Sequence, residues 1–370
     1  MVLIKALIVV AIFAAITTTT PIEKRHDKYI AYPVEQVEDS SILGKRYEHN
    51  DMYGFGGLGS RYLTKLKVGS SKQEVQVIVD TGSWALNFPH VGGKCLGKTC
   101  SPEDSFDPSK SNSYKNLTKY SSSGYGGGGA KANGYKSTDD LYFDDGKKIP
   151  NFEFTLLDSV AFPRGIFGIS PYNNPNVSYA LAAKKAGLIN QAGFSLYAGP
   201  DDKGALLLGG VDKAKYEGEL ALYKSTLSVP AKSITLANGT VINFASVLAL
   251  DTGDAGLGLD PEITEKLFKE VSDESGKLSC DIALSGNKTL TFDLGKNVSI
   301  DVPYSDVFYW NADKTKCTSR IVSSGKHGAT QNVGVPLIKH IYLTHNLDTG
   351  ILGVAPVKHT DESDIVDFWF

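Results

Sequence analysis

Apolar positions recur along this chain in short runs, mostly with a period of two and broken by Gly, Asn and Ser. Tyr62-Leu63-Thr64-Lys65-Leu66-Lys67-Val68 alternates, as does Val75 to Val79, with Gly69-Ser70-Ser71-Lys72 between them. That pattern predicts a β-hairpin. Its second strand turns continuously apolar at Val77-Ile78-Val79, enters Asp80-Thr81-Gly82-Ser83, and is followed by Leu86 and Phe88. A buried strand thus delivers a carboxylate into a tight turn; an ordinary strand-end turn would have Asp accepting backbone N–H groups and Gly at positive φ. The device returns at Leu248-Ala249-Leu250, which runs into Asp251-Thr252-Gly253-Asp254, with Leu257 and Leu259 at the offsets of Leu86 and Phe88. Helical patterning is confined to Val177–Leu188, which ends near Gly187, and to a segment capped by Asp260-Pro261 with Ile263, Leu267 and Val271 on one face. The expected fold class is mostly β.

One Asp-Thr-Gly turn carries little information, since such triplets are frequent at strand ends. Two in matching settings carry more, and each is followed by a segment built on a glycine: the apolar pair and glycine Ile166-Phe167-Gly168 after the first, Asn332-Val333-Gly334-Val335 after the second. This predicts an internal repeat of whole lobes, each with an Asp-bearing loop and a later segment packed beneath it. Two such lobes face to face place Asp80 and Asp251 in one cleft. Adjacent carboxylates do not both ionise cheaply, so one keeps a proton while the other serves as a base.

These turns occur with Tyr125-Gly126, Gly165-Ile166-Phe167-Gly168, Phe194-Ser195-Leu196-Tyr197, Gly209 to Tyr216 and Ile351-Leu352-Gly353-Val354-Ala355-Pro356. In this order they resemble the pepsin-like aspartic proteases, and within them most the secreted yeast candidapepsin and yapsin group. The resemblance runs from about Tyr62 to Val357. It implies a bilobal fold with an interlobe cleft, an N-terminal lobe over 47–213 and a C-terminal lobe over 214–370, with a shared sheet blurring the boundary near Gly209 to Tyr223. It further implies hydrolysis of protein or peptide substrates at acid pH by a water activated between Asp80 and Asp251, with no metal or other cofactor. Thr81, Gly82, Ser83, Thr252, Gly253 and Asp254 support the dyad, and the two threonines join the lobes beneath it. A flap carrying Tyr125, Gly126 and Gly127 closes over the substrate; Tyr120 is the alternative flap tyrosine. A lid as Gly-rich as Gly124 to Gly129 opens easily and costs entropy to order.

Two residues depart from the family pattern. Asp254 stands where a hydroxyl residue usually donates to the catalytic carboxylate; only a protonated Asp254 donates in that way, which would confine activity to acid. Asn87 stands where a Trp commonly bonds the flap tyrosine, and a shorter side chain implies a wider neighbouring pocket. These departures define the alternative reading, a catalytically dead relative that binds peptide or glycan in the same cleft. Trp84 is an unexpectedly bulky neighbour of the first turn.

The chain has 370 residues, 41% of them hydrophobic, enough for a large core and two lobes. A net charge of −3 leaves no basic footprint for nucleic acid. Leu3 to Ile16 is an apolar stretch too short to span a bilayer comfortably, so residues 1–20 read as a secretory signal peptide and the mature chain as unanchored. Residues 21–46 read as an activation propeptide removed after the dibasic pair Lys45-Arg46, with Lys24-Arg25 a second such pair. The product is expected to be an extracellular monomer. Cys95, Cys100, Cys280 and Cys317 allow three pairings; the resemblance implies Cys95 with Cys100 and Cys280 with Cys317, while zinc ligation is disfavoured by the lack of neighbouring ligands. Asn116, Asn176, Asn238, Asn287 and Asn297 begin glycosylation sequons.

Overall fold

The computed structural model describes residues 29–38, 60–126, 129–199, 203–311, 313–324 and 330–370. The signal segment 1–20 and the Lys45-Arg46 pair lie outside the described residues. The fold is mostly β. As the alternation requires, Ser60–Val68 and Gln73–Asp80 form an antiparallel hairpin, with Lys67 opposite Glu74 and a turn closed by Lys72 N donating to Gly69 O at 2.8 Å.

A large sheet runs through both halves of the chain. In order it contains Ala221–Lys224, Ile351–Pro356, Ile341–Asn346, Gly193–Ala198, Lys203–Leu208, Ile30–Glu38, Ser60–Val68, Ala130–Tyr142, Lys148–Val160, Asn87–Cys95 and Lys98–Thr99. A second sheet belongs to the C-terminal half: Val298–Pro303, Thr289–Gly295, Ser228–Thr235, Val241–Leu250, Gln331–Val333, Leu257–Leu259 and Ile321–Ser323. The lobes are therefore stitched together by the pairing of Gly193–Ala198 with Ile341–Asn346.

Part of the segment expected to be removed as propeptide is built into the large sheet. Ile30–Glu38 pairs with Lys203–Leu208 on one side and Ser60–Val68 on the other. Ile30, Tyr32 and Val34 are buried, and the Tyr32 hydroxyl meets that of Tyr179 at 2.5 Å.

Beneath the sheets the core mixes aromatic and aliphatic side chains in both halves. Phe88, Phe106 and Phe154 pack edge to face, and Phe167 lies against Tyr179 with ring centroids 4.8 Å apart. Leu257, Leu259, Leu290, Phe292 and Val302 fill the other half. Each such burial contributes about 1.5–3 kcal/mol. The helix Tyr179–Lys185 ends before Gly187 at φ +71°, and Pro261–Glu270 is capped by Asp260, which accepts from Glu262 N at 2.9 Å. Ile263, Leu267 and Val271 face inward, as their spacing predicts.

Candidate active site

Asp80 ends the strand Gln73–Asp80 and lies beside Gly168 in a parallel pairing with Gly165–Gly168. Asp251 follows Val241–Leu250, which pairs in parallel with Gln331–Val333. The two apolar-Gly segments thus pack under the two loops, as the repeat predicts. Their glycines permit the contact: a Cβ on Gly168 would lie 2.6 Å from Ala85 N, and one on Gly334 would lie 2.1 Å from Asp254 O.

The turn glycines locate the carboxylates. A Cβ on Gly82 would sit 2.4 Å from Oδ1 of Asp251, and a Cβ on Gly253 would sit 2.5 Å from Oδ1 of Asp80 and 3.0 Å from Oδ1 of Asp251. Each lobe's glycine leaves the space that the other lobe's carboxylate occupies. Below them the threonines form a closed set of bonds across the lobes. Thr81 N donates to Thr252 Oγ1 at 3.0 Å and Thr252 N donates to Thr81 Oγ1 at 2.9 Å. Each hydroxyl then donates to a main-chain carbonyl of the opposite strand, Thr81 to Leu250 and Thr252 to Val79, both at 2.7 Å. With both side chains almost fully buried, these bonds fix the spacing of the aspartates above them.

The environments of the two carboxylates differ. Asp80 accepts from Gly82 N at 2.8 Å and from Ser83 Oγ at 2.5 Å. Asp251 accepts from Gly253 N at 2.9 Å and from Asn332 Nδ2 at 3.0 Å. Burial raises the Asp251 carboxyl above the usual carboxylate range, the neighbouring Asp80 charge raises it further, and the Asn332 and Gly253 donors pull against both.

Asp254 does not act as the sequence led us to expect. It makes no hydrogen bond to Asp251 through its own side chain. Oδ1 accepts from Gly256 N at 2.8 Å and Oδ2 accepts from Asn332 Nδ2, also at 2.8 Å. Both oxygens are acceptors, so the proposed donation from a protonated Asp254 is replaced by a contact through Asn332. Burial first and the Asp251 charge second raise the Asp254 carboxyl, against the Gly256 N–H, Asn332 and Arg61. No local signal marks Asn332, whose first-lobe counterpart Ile166 is apolar.

The segment expected to form the flap is a hairpin of Lys115–Tyr125 and Ala130–Tyr142, with Tyr125 opposite Ala130. Gly126 takes φ +55° at its tip, and Gly127 lies outside the described residues. Asn87 bridges flap and floor: Nδ2 donates to the Tyr125 hydroxyl at 3.0 Å while Oδ1 accepts from Ile166 N at 2.9 Å. The Tyr125 ring packs edge-on against Phe162, and its hydroxyl is pushed up to about 12 by burial and the Asp80 charge, partly offset by Asn87. Tyr120 instead packs against Tyr135 on an exposed face. Trp84 stacks on Tyr172 at 4.1 Å with Lys136 over its ring, which gives that bulky side chain a partner. Cys95 pairs with Cys100, and Cys280 with Cys317, so no thiolate remains for zinc at these positions.

A two-lobed β fold whose equivalent loops hold two carboxylates together over crossed threonines defines an aspartic-type endopeptidase. Residues 61–357 match the eukaryotic aspartyl protease family, and the chain belongs to that family. Secreted aspartic protease 6 of Candida albicans is 29% identical over 342 residues, spanning 82% of this chain and 78% of that protein. Candidapepsin of Candida tropicalis is 30% identical over 335 residues, covering 83% and 82% of the two chains. Secreted aspartic protease 8 of Candida albicans is 30% identical over 335 residues, covering 83% and 78%. Among the described residues no helix is long and apolar enough to cross a membrane.

Proposed function

We propose that this protein is secreted and cleaves proteins or peptides in acid, with Asp80 as the base and Asp251 as the acid toward one bound water. The observation that carries this reading is the convergence of both carboxylates on Gly253, whose missing Cβ would touch Asp80 and Asp251 at once. Asp80, with Gly82 N and Ser83 Oγ donating to it, is the better supported anion and takes a proton from the water as its oxygen adds to the scissile carbonyl carbon. Asp251 gives its proton to the carbonyl oxygen. Collapse of the tetrahedral species returns that proton, breaks the C–N bond, and moves the proton held by Asp80 to the leaving nitrogen. Positioned proton transfers of this kind contribute about 10²–10⁴-fold each.

The flap hairpin lies where it can close over an extended peptide, with Tyr125 held by Asn87 and kept neutral. Secretion is supported by the apolar N-terminal stretch and by two disulfides. All five sequon asparagines are exposed, which suits glycan attachment.

The test is cleavage of a denatured protein from about pH 2 to about pH 7, with and without pepstatin, using protein cut after Arg46. Acid-dependent cleavage blocked by pepstatin is expected. Folded, processed protein that cleaves nothing across that range, peptide mixtures included, would overturn the reading.

A further inference from the structure

We infer that Asn332 is a positioning residue for the reaction, supplying Asp251 with the hydrogen bond that Ser83 supplies to Asp80, and that Asp254 holds its amide in place. The inference rests on the reading of Asp80 and Asp251 as the catalytic pair.

The internal repeat supplies the comparison. Asp80 pairs with Gly168, and Ile166 lies two residues before that glycine. In the second lobe Asn332 lies two residues before Gly334. Ile166 and Asn332 are thus counterparts, as are Ser83 and Asp254, each third after its catalytic Asp. In the first lobe a hydroxyl donates to the Oδ2 of Asp80, and the counterpart position is a buried Ile. The second lobe reverses both: the hydroxyl position holds a carboxylate, which lacks a donor when ionised, and the apolar position holds an amide, which has two. Each lobe ends with one side-chain donor on the outer oxygen of its aspartate.

The amide nitrogen of Asn332 meets Asp251 Oδ2 at 3.0 Å and Asp254 Oδ2 at 2.8 Å, one N–H for each. The reverse orientation would set Oδ1 against two carboxylate oxygens, a repulsion relieved only by protonating both. Asp254 is itself fixed by the Gly256 N–H on its other oxygen. The amide therefore stands between an anchored carboxylate and the reacting one. The charged groups facing this pair are Asp80 from the first loop, against Asp251, and Arg61 from Ser60–Val68, against Asp254. A hydrogen bond to a charged group accounts for roughly a tenfold to hundredfold effect.

The sign of the effect separates positioning from structure. The Asn332 donor stabilises the ionised form of Asp251, so its loss favours the protonated form and moves the alkaline limb of the pH–rate profile upward while kcat falls. Asn332→Leu keeps the branching at Cγ and removes the donors. It is expected to lose about tenfold or more in kcat, with KM little changed and the alkaline limb at higher pH. Asp254→Thr restores a hydroxyl at the position matching Ser83, so Asn332→Leu in that background is expected to cost less than about threefold. A ¹³C-carboxyl NMR titration of the parent and Asn332→Leu proteins reads the same contact without catalysis, and the Asp251 midpoint is expected to rise. An unmoved titration overturns the inference whatever the activity. A lower kcat with an unmoved pH limb and no recovery in the double variant overturns it too, as a merely structural effect. If the parent cleaved nothing but the titration still moved, the protease reading would fall and the contact would stand.

Discussion

Thr81 and Thr252 each use one hydroxyl twice, donating to a carbonyl of the opposite strand and accepting an N–H from the other threonine. Replacing Thr252 by Val removes both bonds and leaves Thr81 N and Val79 O unpaired in a dry site. We expect a loss of about 2–4 kcal/mol in denaturant unfolding, most of it recovered by Thr252→Ser. Equal stability of the Val and Ser variants would contradict this account of the lobe contact. At this scale the sequence was legible where a residue's role follows from its own neighbours. Asp80, Asp251 and the turn glycines stood out because the same short pattern recurs. Asn332 did not, because its role exists only through Asp254, distant in sequence, and its local setting reads as a strand beneath a loop. Asp254 stands out as a departure from the family pattern, but the donor to Asp251 is the Asn332 amide on the neighbouring strand and not its own carboxyl. Asn87 was found by the same kind of comparison, and its reach to Tyr125 is sufficient without a larger ring.

The elements that position the site follow from patterns of period two and from turns with glycine at positive φ, which is why the hairpin before Asp80 and the flap were readable. Less readable was the role of Ile30–Glu38. The stretch Pro21 to Asn50 that contains it is charged and polar and carries both dibasic pairs, so it reads as removable. In the sheet Ile30–Glu38 has partners on both sides and buries Ile30, Tyr32 and Val34. A strand with two ladders is lost only with the pairing of both neighbours. After cleavage at Arg46 we therefore expect the fragment carrying residues 30–38 to co-elute with the enzyme in native gel filtration and to separate in denaturant. Its release under native conditions would show that another segment takes its place. The local pairing of cysteines, by contrast, was open in the sequence until the family resemblance was applied, since spacing alone allowed three solutions.

For the whole molecule, the two lobes are one design used twice, joined by a continuous sheet and by the threonines, with the chemistry at the seam. The asymmetry between the copies is electrostatic. Burial raises both Asp251 and Asp254, the Asp80 charge adding to the first and the Asp251 charge to the second. A carboxyl raised in the folded state binds its proton more tightly there than in the unfolded chain, so stability is full at low pH and falls as pH rises from the ordinary carboxylate range through the raised values. Thermal unfolding should accordingly shift to lower temperature between acid and neutral pH, and Asp251→Asn should flatten that dependence. A parent protein with a pH-independent unfolding temperature would contradict the assignment of these buried acids. In the proposed reaction the same ionisation of Asp251 removes the acid needed at the scissile carbonyl, so activity and stability are expected to decline in the same direction. The central claim is that two carboxylates from two lobes do one job, and it is tested most directly by the pair Asp80→Asn and Asp251→Asn. Each is expected to fold with the parent's circular dichroism spectrum, and each to lose at least about a thousandfold in cleavage rate at the parent's optimum. A folded variant of either aspartate that kept the parent's rate would contradict it.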